Sequence, residues 1–161
     1  ALIYMGRQKG VPMTIAEAVQ QVNLNQHQRF ADKVLAYYGG RKGTCLGVWG
    51  LAFKARTDDT RESPAVFCIQ RFLEAGFQVA AYDPEAVCPE LQGRIRMTEN
   101  AYDVLDDAEG LVIFTDWQEF RTPDFEQIAS RLKRPVIFDG RNLYSPSFVQ
   151  KHGIEYYSIG R

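Results

Sequence analysis

The segment GVWGLAFKARTDDTRESPA, residues 47–65, joins an apolar strand to a helix and decides the type of fold. Its first two glycines, Gly47 and Gly50, are spaced G-x-x-G, whereas the turn that holds a dinucleotide pyrophosphate is typically G-x-G-x-x-G. Phe53 stands where the third glycine of that motif would be, and Lys54 follows it. The segment therefore predicts a strand, a glycine turn and a helix, with a loop that does not bind NAD in the usual way.

Short apolar runs alternate with amphipathic stretches from Lys42 onward. Continuous apolar strands that alternate with helices are typical of a parallel sheet covered on both faces. We therefore expect residues 41–161 to form an α/β domain, a Rossmann-like three-layer fold with a mainly parallel sheet. Strands are predicted in TCLGVWG, FQVAAYDP, RIRM, GLVIFTDW, RPVIFDGRN and IEYYSIG, and helices in SPAVFCIQRFLEAG and near 100–107, 124–132 and 147–152.

A long helix precedes this domain, in MTIAEAVQQVNLNQHQRFADKVLAYYGG. Thr14 followed by Glu17 fits a capping box, and the pair Gly39 and Gly40 is a suitable stop. At about 1.5 Å per residue the helix would be roughly 35 Å long, which is more than a small domain needs. We expect residues 1–40 to be a connecting helical region cut from a longer protein, with an ordinary surface helix as the alternative.

Composition and charge exclude several classes of function. The 161 residues carry a formal net charge of -1, and the basic residues are scattered, so neither nucleic acid nor a membrane is the expected partner. The three cysteines lack C-x-x-C spacing and only two histidines exist, which predicts no zinc site and a reducing, cytoplasmic setting. Cys45 and Cys68 are expected in the core, while Cys88 lies in a loop where it could be exposed.

Polar side chains follow four of the predicted strands, at Lys54, Asp83, Asp116, Asp139 and Arg141. In parallel sheets, ligands sit beyond the carboxyl ends of the strands, where the strand order reverses. The polar residues therefore predict a ligand-binding rim at that edge of the sheet.

The cations of this rim suit a phosphate or diphosphate. Lys54 offers an ammonium, Arg61 a planar fork, and the helix that begins at Pro64 offers free N–H groups. Arg141 closes a strand, and Asp139 could orient it as a fixed anion receptor. For Lys54 and Arg61, a solvated loop with local ion pairs explains the same pattern equally well, and for Arg141 a salt-bridged strand end does so. Asp116 and Asp139 could instead suggest a magnesium site, although no spacing makes that specific.

Several motifs in order resemble the carboxyl-terminal third of the UDP-glucose 6-dehydrogenase family, within the wider group of UDP-glucose/GDP-mannose dehydrogenases. They are GLAFKARTDDTRESPA, AAYDPEA, LVIFTDWQEF, VIFDGRNLY and YYSIGR, and GVPMTIAEAVQQVNLNQ resembles the end of the family's central helical region. The resemblance implies an NAD-dependent oxidation of UDP-glucose to UDP-glucuronate. By this resemblance Phe53, Lys54 and Arg141 contact the substrate, and Arg61 reaches NAD across the cleft.

The resemblance also implies what this chain lacks. The family's catalytic cysteine and lysine lie in an upstream segment, and its amino-terminal domain holds most of the NAD, so the chain alone is expected to be inactive. As partners it implies that missing amino-terminal domain and a homodimer or larger assembly of the full-length protein. GDP-mannose and UDP-N-acetyl sugars are alternative substrates, and a non-catalytic regulatory α/β module is the alternative class. A stand-alone NAD-binding domain is disfavoured by the missing third glycine.

Overall fold

The computed structural model describes residues 2–160, and its centre is a six-stranded parallel sheet. The strands are β1 (Cys45–Trp49), β2 (Gln78–Tyr82), β3 (Arg96–Met97), β4 (Leu111–Ile113), β5 (Val136–Asp139) and β6 (Glu155–Ser158). They lie in the order β3-β2-β1-β4-β5-β6, and every neighbouring pair is parallel. The predicted Rossmann-like fold is therefore confirmed, and the strand order reverses between β1 and β4. Ala1 and Arg161 lie outside the described residues. The predicted bounds 1–40 and 41–161 include them, and Arg161 also ends the YYSIGR motif.

Helices cover both faces of the sheet. On one face the ring of Tyr37 meets that of Phe138 at 5.3 Å, so the end of the long helix packs on β5. On the opposite face the indole N–H of Trp49 donates to the Ala101 carbonyl at 2.6 Å. The helices are α1 (Leu2–Gln8), α2 (Thr14–Tyr37), α3 (Pro64–Glu74), α4 (Gln118–Arg121), α5 (Phe125–Arg131) and α6 (Pro146–Gln150), with 3₁₀ segments at Pro89–Leu91 and Ala101–Leu105.

Helix α3 begins as its sequence predicts. The Ser63 hydroxyl accepts a hydrogen bond from the Ala65 N–H at 3.2 Å, and Pro64 occupies the first helical position. Five side chains of this helix are buried against the sheet and α2. The start of α3 therefore lies at the carboxyl edge of the sheet, directly after the loop that follows β1.

The long helix α2 has the predicted extent but not the predicted cap. Thr14 lies inside the first turn rather than before it, and no side chain caps the helix at Met13. Glu17 instead pairs with Arg7 of α1 at 3.1 Å, so the capping box prediction is wrong. Only the second half packs on the domain: Phe30 is 5% exposed, whereas Ile15 is 83% exposed.

The segment predicted as a helix near 100–107 is a 3₁₀ segment, Ala101–Leu105. The Ala101 carbonyl accepts a hydrogen bond from the indole of Trp49, which ties the start of this segment to the end of β1. Gly47 contributes to the same packing, because a Cβ there would lie 2.8 Å from the Val104 carbonyl oxygen. Close packing against β1 thus replaces the regular α-helical turn. Among residues 2–160, no helix is both long and apolar enough to cross a membrane.

Gly50 makes the turn after β1. Its φ is 89°, in the region that favours glycine, and its N–H donates to the Tyr82 carbonyl at 2.8 Å. A Cβ at this position would lie 2.5 Å from the Cβ of Thr115 and 2.8 Å from the Thr115 backbone nitrogen. Gly50 therefore allows the turn of β1 to touch the end of β4.

Replacing Gly50 by alanine should destabilise the fold more than replacing Gly93. Both glycines have a positive φ, but nothing lies within 4 Å of a Cβ at Gly93. We expect Gly93→Ala to lower the free energy of unfolding by about 1 kcal/mol, and Gly50→Ala to lower it by roughly 1–3 kcal/mol more. Urea unfolding of both variants measures the difference. Equal losses would contradict the close contact with Thr115.

Candidate functional site

Three adjoining cavities form a groove along the carboxyl edge of the sheet. The first, of about 570 Å³, lies between α1, α2, α3 and the loop after β1, and includes Phe53. The second, of about 250 Å³, lies beneath α2 and reaches Arg141. The third, of about 320 Å³, continues from Arg141 to Arg121. His27 lines the first two cavities and Arg141 lines the last two, so we call the whole the rim groove.

Asp83 is the anchor of the loop after β1. This carboxylate at the end of β2 is only 9% exposed. In dinucleotide-binding domains, the acid at this end of the sheet accepts from the ribose hydroxyl of NAD. Here both oxygens are already occupied by donors from the protein, so Asp83 shapes the rim instead of binding a ligand. The donors are the N–H groups of Leu51 (2.7 Å), Ala52 (3.0 Å), Glu85 (3.0 Å) and Ala86 (2.8 Å), and the indole of Trp117 (3.2 Å).

Asp139 holds the backbone that carries Arg141. The carboxylate is fully buried and accepts from the Arg141 N–H at 2.8 Å, the Leu143 N–H at 2.7 Å and the Tyr156 hydroxyl at 2.7 Å. The sequence suggested that Asp139 orients the Arg141 side chain, but Asp139 holds only the backbone N–H of Arg141. The guanidinium itself pairs with Asp116, with Nη2 and Oδ1 3.3 Å apart.

Asp116 lies between two arginines. Its Oδ1 accepts from Arg141, and its Oδ2 accepts from Nη2 of Arg121 at 3.0 Å. With Asp139 bonded to protein donors and Asp116 paired with cations, these two acids do not form a magnesium site. Within residues 2–160, no group of three or more His, Cys, Asp or Glu is arranged to hold a metal ion. Arg121 was missed because α4 is too short to give a periodic signal.

The loop between β1 and α3 presents the predicted aromatic residue and lysine to solvent. Phe53 is 49% exposed, and its N–H donates to the Asp59 carbonyl at 2.8 Å. Lys54 is exposed and pairs with no acid among the described residues, so its charge is available to a ligand. Phe53 thus lines the first cavity of the rim groove and Arg141 lines the second and third, and Lys54 adjoins Phe53 in sequence.

Arg61 is held away from the groove. Its Nε and Nη2 donate to the two oxygens of Asp59 at 2.9 and 2.8 Å, and the side chain is 87% exposed. The Arg61 guanidinium lowers the pKa of Asp59 to about 2. The neighbours Thr60, Glu62 and Ser63 line the first cavity, whereas Arg61 does not. A ligand that engages Arg61 must therefore compete with Asp59.

The cysteines are structural. Burial raises the pKa of the Cys45 thiol, and raises that of Cys68 to about 12, which is the opposite of what a thiolate nucleophile requires. Cys88 is 4% exposed, so the expectation that its loop position could expose it is wrong. The ring of His27 packs against Phe67 at 5.9 Å, and burial lowers its pKa. Its place in the groove depends on how α2 docks, which the sequence does not reveal.

A parallel sheet in this strand order, with a groove near its point of reversal, defines a Rossmann-type nucleotide-binding domain. Over residues 47–146, the sequence matches the UDP binding domain of the UDP-glucose/GDP-mannose dehydrogenase family, and the chain belongs to that family.

Similar proteins agree with this assignment. The UDP-glucose 6-dehydrogenase of Rhizobium meliloti (strain 1021) is 38% identical over 164 residues, which cover 100% of this chain and 38% of that protein. UDP-glucose 6-dehydrogenase TuaD of Bacillus subtilis (strain 168) is also 38% identical, over 100% of this chain and 36% of its own length. A UDP-glucose dehydrogenase structure from Pyrobaculum islandicum has a TM-score of 0.75 at 32% identity, covering 98% of this chain and 34% of that one. The chain thus spans little more than a third of these relatives.

Removing the Asp83 carboxylate should unfold the rim. Asp83→Ala would leave five buried or half-buried donors without their acceptor, and we expect a loss of roughly 3 kcal/mol or more in the free energy of unfolding. Asp58→Ala, at an exposed acid in the loop after β1, should change it by less than about 0.5 kcal/mol. Chemical denaturation of both variants makes the comparison. Similar small losses would mean that Asp83 does not anchor the loop.

The pair of Arg61 and Asp59 can be tested by titration. In Arg61→Gln the pKa of Asp59 should rise from about 2 toward its ordinary value of 3.8, because the guanidinium that stabilises the carboxylate is gone. Since the folded pKa is depressed, the pair stabilises the protein above that ordinary value, and the effect disappears as pH falls toward 2. Carboxyl NMR measures both values. An unchanged pKa would show that the pair does not persist in solution.

Proposed function

We propose that this chain is the carboxyl-terminal, nucleotide-sugar-binding part of a UDP-glucose 6-dehydrogenase, an enzyme that oxidises UDP-glucose to UDP-glucuronate with two NAD⁺. The observation that carries the proposal is the rim groove, where Arg141 stands on a backbone fixed by buried Asp139. Family membership and the relatives' names support the choice of a UDP-sugar.

Each predicted residue has a role in this proposal. Lys54 and Arg141 hold oxygens of the nucleotide sugar through charge-assisted hydrogen bonds, and the exposed ring of Phe53 packs against the ligand. Arg61 leaves Asp59 and reaches NAD held by an amino-terminal domain. The turn after β1 does not suit NAD itself, because Asp83 is occupied by the loop's own N–H groups. The oxidation requires groups outside this chain, so the chain alone is inactive.

The first half of α2 and helix α1 suit an assembly of the full-length protein. Since their apolar side chains are exposed, we propose that they pack against the rest of the enzyme or a second copy, in a homodimer or larger assembly. The exposed apolar residues of the two helices are Leu2, Tyr4, Met5, Ile15, Val19, Val22 and Leu24.

Two alternatives remain to be tested. A related sugar nucleotide is one, because the family description includes GDP-mannose, and a UDP-D-ManNAc dehydrogenase from Pyrococcus horikoshii has a TM-score of 0.71 at 26% identity. A regulatory module that is phosphorylated is the other. It would need available acids at adjacent strand ends, and the bonded carboxylates of Asp83 and Asp139 weigh against it.

Calorimetric titration of this chain tests the proposal. UDP and UDP-glucose should bind, whereas GDP and NAD⁺ should bind weakly or not at all. Lys54→Ala and Arg141→Ala should each weaken UDP binding by about 1–3 kcal/mol, since each removes one charge-assisted contact. Arg61→Ala is the matched control within the same loop and should leave UDP affinity nearly unchanged.

Other results would redirect the assignment. A preference for GDP would move it to the GDP-mannose type of enzyme, and tight NAD⁺ binding would favour a stand-alone cofactor domain. Unchanged UDP affinity in both the Lys54 and Arg141 variants would contradict the site assignment.

A further inference from the structure

The third cavity of the rim groove is lined by two guanidiniums that share one carboxylate. Arg121 and Arg141 each donate through Nη2 to Asp116, at 3.0 and 3.3 Å. A guanidinium has five N–H donors, so most of the donors of both side chains have no acceptor among the described residues. The two cations and one anion leave a net positive charge beside a cavity of about 320 Å³. Such a cavity fits a ligand group with several negative oxygens.

Both arginines stand on a fixed backbone. The main chain at Arg141 is held by Asp139, and the next residue, Asn142, exchanges two hydrogen bonds with Ile159, at 3.2 and 3.0 Å. Arg121 follows Phe120, whose ring is fully buried and stacks on Trp49 at 4.9 Å. The two backbones are therefore set by the core, while the guanidiniums remain half-exposed.

We propose that Arg121 is a second anion-binding residue of the nucleotide-sugar site, and that Asp116 is the positioning residue for both arginines. This inference rests on the proposed function, which supplies the ligand: the anion is the diphosphate of the nucleotide sugar. Two planar forks on either side of one carboxylate suit the oxygens of a diphosphate, which guanidiniums bind in bidentate fashion. The diphosphate replaces none of the buried contacts and needs only the unused donors.

If Asp116 positions the two arginines, its replacement should change UDP affinity in the opposite direction from the change that net charge alone predicts. Asp116→Asn makes the groove more positive, so charge alone would tighten UDP binding. If Asp116 instead holds the two guanidiniums in place, its loss lets them move into solvent, and UDP binding weakens. We expect the affinity of Asp116→Asn for UDP to fall about tenfold, the scale of one charge-assisted contact. Tighter binding by Asp116→Asn would overturn the positioning role.

The experiment is a calorimetric titration of the described chain and its variants with UDP, UMP and UDP-glucuronate. Arg121→Gln should weaken UDP about tenfold or more, the scale of one charge-assisted contact, and should weaken UMP by a smaller factor. Arg121→Lys keeps the charge without the fork and should recover part of the loss. Arg94→Gln, at an exposed arginine outside the groove, is the control and should bind like the unmodified chain.

The outcomes separate this inference from the proposed function. If Arg141→Gln weakens UDP binding and Arg121→Gln does not, the second anion contact is wrong and the proposed function stands. If Arg121→Gln weakens only UDP-glucuronate, the cavity binds the sugar carboxylate and the diphosphate assignment is overturned. If the unmodified chain does not bind UDP, the proposal that Arg121 and Arg141 form a preformed diphosphate site is overturned. Equal thermal midpoints of the variants exclude unfolding as the cause of any loss.

Discussion

The hydrogen bonds accepted by Asp83 are the interaction on which the rim of this domain depends. One carboxylate at the end of β2 joins the loop after β1, the chain after β2 and the indole of Trp117. Those three segments enclose the edge of the sheet where a Rossmann-type domain binds its ligand. Both oxygens of this carboxylate already accept hydrogen bonds from the protein. The position that holds a ribose in NAD-binding domains therefore has no free acceptor here. The hydrogen bonds that shape the loop therefore remove the acceptor that would bind the ribose of NAD.

The rim separates structural acids from available cations. Asp83 and Asp139 are buried and accept from protein donors, whereas Lys54 and Arg141 keep unused donors at the surface. An exposed carboxylate at the rim would repel a phosphate. Because Asp83 and Asp139 are buried and accept hydrogen bonds from backbone N–H groups, the rim suits the binding of an anion. Helix α2 completes the groove by laying His27 between the first and second cavities. Helix α2 thus contributes directly to the rim groove.

The sequence predicted much of this fold because its local signals are strong. The apolar runs predicted the four inner strands β1, β2, β4 and β5, and Ser63 with Pro64 predicted the start of α3. The 3₁₀ segment Ala101–Leu105 was beyond sequence reasoning, because a bond from Trp49, distant in the chain, takes its first carbonyl.

The site residues divide in the same way. The polar residues at the strand ends identified the rim. They did not show that Asp83 and Asp139 would be buried, because that depends on the donors that surround each carboxylate in the folded structure. Arg121 gave no signal because its helix α4 is only four residues long, and its pairing with Asp116 appears only in the folded structure. The roles of Phe53, Lys54, Arg61 and Arg141 came from family resemblance and stay predictions.

The central claim is that the nucleotide lies in the rim groove at the carboxyl edge of the sheet, and amide NMR with added UDP tests it most directly. The account predicts that UDP shifts the amide signals of Lys54, Gly140 and Arg141, with little change at the opposite edge. That edge has its own polar cavity of about 450 Å³, which includes Gly43 and Lys133. Shifts confined to that cavity, with the groove signals unmoved, would contradict the account.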